Sequence, residues 1–272
     1  MSEQKKTIKV IQITDLHLPE HDGDTLAGAK TLSTFQQTIK KIKEDSLPAD
    51  LIIATGDIVQ NATSPHGYET FREHIEPLGI KTLVIPGNHD DSEILKNTLK
   101  DGLISFTPHF IMDNWQFIML DSSIPHAVNG HLKPDDLDEV DRLLTENPNL
   151  HTLIAMHHQP MPIGCRWLDI CENGAIDNGN ELFSIVEKHD NAKIVTWGHV
   201  HQDFISSRNN VHLLGTPSTC IQFKPRQIDF CLDKVPPGYR WIELEENGSI
   251  ASGVVRTNEL PTEIDFDTNG YE

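Results

Sequence analysis

The stretch Leu83-Val84-Ile85-Pro86-Gly87-Asn88-His89-Asp90 sets an apolar run directly against a turn that carries an amide, an imidazole and a carboxylate. A short continuous apolar run bounded by turn residues reads as a buried strand. Asn88 is a poor metal ligand alone, because its carbonyl oxygen is neutral. Beside carboxylates and imidazoles it makes sense as one oxygen donor to a divalent ion, and its neighbour His89 is then left to donate a proton. The tripeptide has little weight by itself, since loops are rich in Asn and Asp. Its weight comes from what stands at the ends of the other apolar runs.

Working outward, residues 7–14 form a β-branched run that ends at Asp15-Leu16-His17, and residues 51–54 end at Thr55-Gly56-Asp57. Residues 152–156 end at His157-His158, and residues 193–197 at Gly198-His199-Val200-His201. Between them, apolar residues at three- and four-residue spacing predict helices over 32–43, 68–76, 92–99, from Pro134 onward, and over 180–188. Strand and helix alternating in this way is a βαβ pattern with a mostly parallel sheet. Residues 110–117 read as a hairpin with a tight Asp113-Asn114 turn. Four antiparallel strands are expected after that, at 203–207, 211–214, 239–244 and 250–255. Two sheets stacked between helices suit this α/β order. Every candidate ligand then falls at a strand's carboxyl end, the edge where open α/β sheets bind ligands.

The 272 residues carry a formal charge of −19 with no local Lys/Arg cluster, which argues against a nucleic-acid partner. A small anionic substrate stays possible, because a bound metal inverts the local field. No apolar stretch approaches the roughly 20 residues that span a bilayer, and the polar residues 1–6 run straight into a strand. The expectation is a soluble, cytoplasmic protein without a membrane partner. Residues 1–258 read as one domain and residues 259–272 as an acidic tail without Lys or Arg, expected to be solvated. The four cysteines, Cys165, Cys171, Cys220 and Cys231, have no C-x-x-C spacing and are expected to be reduced thiols. Nothing in the sequence sets an oligomeric state. About twenty residues separate the His157 motif from the next helix, long enough to be functional or mobile.

Residues two apart on a strand share a side, so Asp15 and His17 can grip one ion, and His199 and His201 likewise. If Asp57 bridges, Asp15, His17, Asp57, Asn88, His157, His199 and His201 suffice for two ions about 3.5–4 Å apart, the arrangement used for in-line attack at phosphorus. Imidazole and carboxylate together suit Fe, Mn or Zn rather than Ca or Mg. His158 reads as a neighbour that orients rather than ligates. Nine other histidines, His21, His66, His74, His109, His126, His131, His151, His189 and His212, lack such spacing and read as structural. Trp167 is a candidate to stack on a base, or else a packed tryptophan.

D-x-H, G-D, G-N-H-D, H-H and G-H-x-H in this order resemble the calcineurin-like metallophosphoesterase superfamily. The runs Thr216-Pro217-Ser218-Thr219-Cys220-Ile221-Gln222-Phe223-Lys224-Pro225 and Pro237-Gly238-Tyr239-Arg240, with Gly164-Cys165-Arg166-Trp167-Leu168-Asp169, are similar to its class III cyclic nucleotide phosphodiesterases. The resemblance implies a four-layer α-β-β-α sandwich with two mixed β-sheets. It implies one ion on Asp15, His17, Asp57 and His201 and another on Asp57, Asn88, His157 and His199, Fe(II) or Mn(II) being the expected metals. It further implies hydrolysis of 3′,5′-cyclic AMP to 5′-AMP by a metal-activated hydroxide, the phosphate touching His17, Asp57, Asn88, His89 and His201. His89 would protonate the leaving oxygen. The competing expectations are a phosphodiesterase for glycerophosphodiesters or 2′,3′-cyclic nucleotides, and a non-catalytic metal-binding scaffold.

Overall fold

In the strands, residues of both parities are apolar, and each parity has its own core to fill. The computed structural model describes residues 7–21, 23–170 and 174–270. Strands β1 (Thr7–Ile13), β2 (Leu51–Thr55) and β3 (Thr82–Ile85) run parallel in the first sheet. Ile8, Val10, Leu51, Ile53, Leu83 and Ile85 face a core that lies between two sheets. The alternate residues Ile11, Ile13, Ile52, Ala54 and Val84 face a second core, under the helices α1 (Thr31–Asp45), α2 (His66–Ile75) and α3 (Ser92–Thr98). Phe35, Ile39 and Ile42 of α1 and Tyr68, Phe71 and Ile75 of α2 are the helical side of that core. A strand buried on both faces has to read as an unbroken apolar run rather than an alternating one.

The second sheet repeats the plan. Its strands are β5 (His109–Met112), β6 (Trp115–Met119), β7 (His151–Ala155), β8 (Ala192–Trp197), β9 (Phe204–Arg208) and β10 (Val211–Gly215). Trp115, Phe117, Leu153, Ala155, Ile194 and Leu214 close the central core from this side. Ile118, Ile154, Val195 and Leu213 meet the helices α4 (Pro134–Glu146) and α6 (Gly179–Val186) through Val140, Leu143, Leu182 and Phe183. The result is α, β, β, α in four layers. Pro134 at the first position of α4, where its missing N–H costs nothing, starts that helix. Asp91 caps α3 by accepting from the N–H groups of Glu93 and Ile94, both at 2.9 Å.

Two expectations need correction, the direction of β10 and the course of the C-terminal segment. The first sheet is completed by a two-residue strand, β4 (Ile104–Ser105), and by β13 (Gly238–Glu245) and β14 (Ile250–Arg256), in the order β14-β13-β1-β2-β3-β4. So the last two strands do pair antiparallel, but with β1 and with each other. In the second sheet β10 lies parallel to β8 and antiparallel to β9. Burial pattern specifies a strand's faces and not the direction of its neighbour. A small third ladder pairs β11 (Gln222–Phe223) with β12 (Leu232–Asp233). Finally, the chain after β14 does not run out into solvent. Ile264 and Phe266 pack against the hydrophobic core beneath the second sheet.

The stretch after His157 is also built. It contains a single helical turn, α5 (Arg166–Asp169), and the Asp169 carboxylate accepts from the N–H groups of Ile163 at 2.7 Å and Gly164 at 2.9 Å. Cys165 and Cys220 are buried free thiols and Cys231 is half-buried; Cys171 lies outside the described residues. No helix among the described residues is long and apolar enough to cross a membrane.

Candidate metal centre

β1, β2 and β3 of one sheet and β7 and β8 of the other end at a common edge, and a buried polar link holds them there. Gln12 donates from Nε2 to Thr55 Oγ1 at 3.0 Å and accepts at Oε1 from Thr196 Oγ1 at 2.6 Å, tying β1 to β8 across the central core. Just beyond, all seven candidate ligands converge. His17 Nε2 stands 3.3 Å from His201 Nε2 and 3.7 Å from Asp57 Oδ2, and His201 Nε2 is 3.4 Å from Asp15 Oδ1. His157 Nε2 stands 3.3 Å from Asp57 Oδ2, 3.1 Å from Asn88 Oδ1 and 3.3 Å from His199 Nδ1. These are two clusters that share Asp57. Donor atoms spaced in this way suit ligands placed around ions at about 2.0–2.2 Å.

The tautomers agree. Nδ1–H of His17 donates to Gln60 Oε1 at 2.7 Å, that of His157 to the Thr55 carbonyl at 2.7 Å, and that of His201 to the Ile221 carbonyl at 2.8 Å. Each bond leaves Nε2 facing its cluster, the orientation that metal-ligating imidazoles require. His199 is turned the other way. It offers Nδ1, and its buried Nε2 has no hydrogen-bond partner among the described residues.

The charges are those of a site that needs cations. Burial works against ionisation of Asp57 and Asp15, yet the surrounding imidazoles keep both carboxyls below the ordinary range. Burial, with His89 and other neighbours, drives His17 down to about 3, and burial with His157 does the same to His199. His157 is the exception. Burial opposes its charge, but the Asp57 and Asp15 carboxylates outweigh it and raise the ring to about 9. Without an ion, a proton on His157 takes part of the ion's place.

Strand alternation does not explain how the paired ligands meet. β1 ends at Ile13, before Asp15 and His17, and five of the seven donors have left-handed backbones: Asp15, His17, Asp57, His199 and His201, with φ between 47° and 62°. Such φ values cost roughly 1–3 kcal/mol each and persist where the surroundings over-determine them. Those surroundings are on hand. Leu16 and His17 N–H donate to the Asp57 carbonyl at 2.8 and 2.9 Å, Ser218 Oγ donates to the Asp15 carbonyl at 2.7 Å, and His199 N–H donates to the Asp15 carboxylate at 2.9 Å. Gly198 is needed for room: a Cβ there would stand 1.9 Å from Thr14 Oγ1 and 3.0 Å from Asp15 Oδ2.

Residues outside the predicted set complete the site. Asp90, the last residue of the G-N-H-D turn, accepts from the N–H groups of Ile58, Val59 and Gly87 at 2.9–3.2 Å, binding the Asp57 loop to the Asn88 loop. Burial and the charge of Asp57 lift its carboxyl to about 7. Gln60 orients His17 through its side chain and His89 through its carbonyl, which accepts from His89 Nδ1–H at 2.9 Å. His89 N–H also donates to Asp57 Oδ1 at 2.9 Å. His158 stands with His157 and His199 in a further donor group, but both of its ring nitrogens are engaged. Nε2–H donates to the Val128 carbonyl at 3.1 Å, Nδ1 accepts from Ser122 Oγ at 2.8 Å, and burial holds the ring neutral. Cys220 lies beside His17 and His201, where burial pushes its thiol up to about 12 in the absence of an ion. None of the nine histidines read as structural joins a donor cluster among the described residues. The 216–225 run lies behind the ligands: Phe223 stacks on His201 at 4.0 Å, and Ile221 and Ser218 make the contacts already described. Neither role is legible from residue type, because a carbonyl or a stacked ring leaves no spacing signature.

Residues 8–203 match the model of the calcineurin-like phosphoesterase family. The chain belongs to that family. It is 35% identical over 265 residues to the 3′,5′-cyclic adenosine monophosphate phosphodiesterase CpdA of Pseudomonas aeruginosa, covering 97% of this chain and 96% of that one. It is 36% identical over 253 residues to a 3′,5′-cyclic-nucleotide phosphodiesterase of Nostoc sp., covering 93% and 94%. A dimetal phosphatase from Danio rerio superposes with a TM-score of 0.60 at 14% identity, over 92% of this chain and 99% of that one, which is a likeness of fold. The four-layer sandwich with two mixed sheets expected from the sequence is the fold of this family.

Beside the donor clusters lies a cavity of about 800 Å³, within the range of small-molecule sites. His17, Gln60 and His89 line it on the side of the clusters, and Trp167, Phe230, Val128, Leu26, Asp24 and Asn269 are among its other residues. Trp167 is both packed and exposed to this cavity. Its ring packs edge-on against Phe223 and Phe230 at 5.0 and 5.2 Å and also forms part of the cavity wall.

Proposed function

We propose that the protein hydrolyses 3′,5′-cyclic AMP to 5′-AMP at a two-metal centre. One ion would be held by Asp15, His17, Asp57 and His201, the other by Asp57, Asn88, His157 and His199, with Fe(II) or Mn(II) the best suited metals. The observation that carries the reading is the sharing of Asp57 between two buried donor clusters, beside a cavity, lined by His17 and His89, with room for a nucleotide. The full-length similarity to cyclic nucleotide phosphodiesterases from two organisms supports the substrate class.

When bound, the two ions would supply a water of lowered pKa and neutralise charge on the phosphoryl oxygens. The rest falls to the chain. His17, Asp57, Asn88 and His201 fix the position of the phosphate, His89 completing that surface. His89 is held at two points, through its N–H to Asp57 and its Nδ1–H to the Gln60 carbonyl, so its Nε2 is the atom that meets the substrate. A proton on that atom passes to the departing 3′-oxygen, which otherwise leaves as a poor alkoxide. Among the described residues that line the cavity there is no Lys or Arg, whereas Glu20 and Asp24 are present. A second phosphate is disfavoured there, which suits a cyclic mononucleotide better than an oligonucleotide.

The test is product identity. Protein loaded with Mn(II) is given 3′,5′-cyclic AMP, 2′,3′-cyclic AMP and a glycerophosphodiester, and products are separated by chromatography. The expected result is 5′-AMP from the first, at a kcat/KM well above the other two. Preference for either competitor, or 3′-AMP as the product, overturns the assignment.

A further inference from the structure

The substrate cavity has a wall built by the segment whose composition suggested a solvated tail. After β14 the chain turns at the buried Thr257, whose N–H donates to the Pro237 carbonyl at 2.8 Å, and runs back along the start of α1. Lys30 Nζ pairs with Glu263 Oε2 at 3.1 Å, and Asp265 N–H donates to the Ala27 carbonyl at 2.9 Å. The approach at Gly28 is close: φ there is +82°, and a Cβ would stand 2.0 Å from the Glu263 carbonyl oxygen. Ile264 and Phe266 anchor the segment on the core that also holds Leu26, and Lys234 Nζ sits 5.0 Å over the Phe266 ring. An ion pair, a main-chain hydrogen bond, two apolar anchors and a cation–π contact are more than a solvated tail needs. They deliver Asn269 and Gly270 to the cavity, which they line together with Asp24, Thr25 and Leu26.

We propose that residues 260–270 are a fixed wall of the substrate cavity and that Asn269 is a specificity-determining residue for the nucleoside part of the diester. The proposal rests on the nucleotide reading above and deepens it. With the phosphate at the donor clusters, a nucleoside has to extend into the part of the cavity lined by Trp167, Phe230, Asp24 and Asn269. The two aromatic side chains offer faces and edges to a flat base. The carboxamide of Asn269 both donates and accepts, which suits the mixed edge of a purine or a ribose hydroxyl. A nitrophenyl diester has a shorter reach from phosphorus and neither purine edge nor ribose hydroxyl, so it depends less on that wall.

The experiment compares the Mn(II)-loaded full chain with Asn269→Ala, with Gly28→Ala, which unseats the segment without shortening it, and with a chain ending at residue 260. For each, kcat and KM are measured on cyclic AMP and on bis(4-nitrophenyl) phosphate, and the Kd of 5′-AMP is measured by calorimetry. Loss of one hydrogen bond predicts that Asn269→Ala raises KM for cyclic AMP and Kd for 5′-AMP about five-fold. Loss of the wall, by either other variant, predicts roughly ten-fold or more, with the aryl diester losing several-fold less. Equal losses on the two diesters make the segment a structural prop and overturn the proposal, as does an unchanged KM for cyclic AMP in all three variants. Wild-type protein that cleaves the aryl diester but neither turns over cyclic AMP nor binds 5′-AMP overturns the nucleotide reading, and the proposal with it.

Discussion

Replacing Gly87 by alanine puts one methyl group where the two donor clusters join. A Cβ on Gly87 would stand 2.2 Å from Asp57 Oδ1, 2.5 Å from the Asp57 nitrogen and 2.8 Å from His157 Cε1, all below the 3.0 Å that real Cβ atoms keep. Either the turn or Asp57 has to move by roughly 1 Å, and a misplacement of that size costs about 10²-fold in rate. Because Asp57 belongs to both clusters, one displacement disturbs both. The fold has less at stake. Overpacking costs about 1–3 kcal/mol, a fall in Tm of roughly 2–10 °C for a chain of this size. The assay is kcat on cyclic AMP with saturating Mn(II), with bound metal counted by elemental analysis and folding followed by circular dichroism. The expected outcome is a folded protein with turnover down about 100-fold or more and fewer than two ions retained. A Gly87→Ala protein holding two ions and turning over within three-fold of wild type would refute the placement of Asp57 as the shared ligand.

Asn88→Ala removes a neutral oxygen donor from the His157 cluster, so turnover should fall by roughly 10²-fold or more while the melting temperature of the metal-free protein barely moves. An active Asn88→Ala enzyme would sink the two-ion assignment. His89→Ala should slow cyclic AMP, whose alkoxide needs a proton, about 10²-fold more than a nitrophenyl diester, whose phenolate leaves without one; equal losses would make His89 a phosphate-binding group. In the metal-free protein, burial of His157 is outweighed by the Asp57 and Asp15 carboxylates, which hold the ring up to about 9. Its charged form therefore adds stability below its ordinary value of 6.5, and that stability is lost as pH rises through about 9. An ion has to displace that proton, while Asp15 and Asp57 are already ionised and His17 and His199 already neutral. Mn(II) affinity, measured by calorimetry, should then rise about ten-fold per pH unit from 6.5 to 9 and flatten above; a flat profile would show that His157 is not protonated in the free site.

Much of this was written in the order of residues. A short apolar run followed by Asp, Asn or His marks a doubly buried strand and the edge where a ligand can stand, and that rule picks out all seven side chains that the structure gathers there. What it missed has physical causes. The left-handed backbones at Asp15, His17, Asp57, His199 and His201 are imposed by neighbouring carbonyls and carboxylates, which no side-chain pattern encodes. Gln60 and Asp90 act through hydrogen bonds to backbone and to a ring nitrogen, so a polar residue in a loop looked like any other. β10 is as apolar as an antiparallel strand would be, and only its neighbour β8 fixes its direction. The acidity of the C-terminal segment masks a legible sign: Ile264 and Phe266 alternate with Asp265, which is how a chain lying on a core reads.

The central claim is that seven side chains at one sheet edge hold two ions and that hydrolysis of the cyclic nucleotide requires both. The most direct measurement is to titrate metal-free protein with Mn(II) while following 5′-AMP formation from 3′,5′-cyclic AMP. The account predicts no turnover in the metal-free protein and a plateau at two ions per chain. A plateau reached at one ion, or turnover that persists without metal, would contradict it.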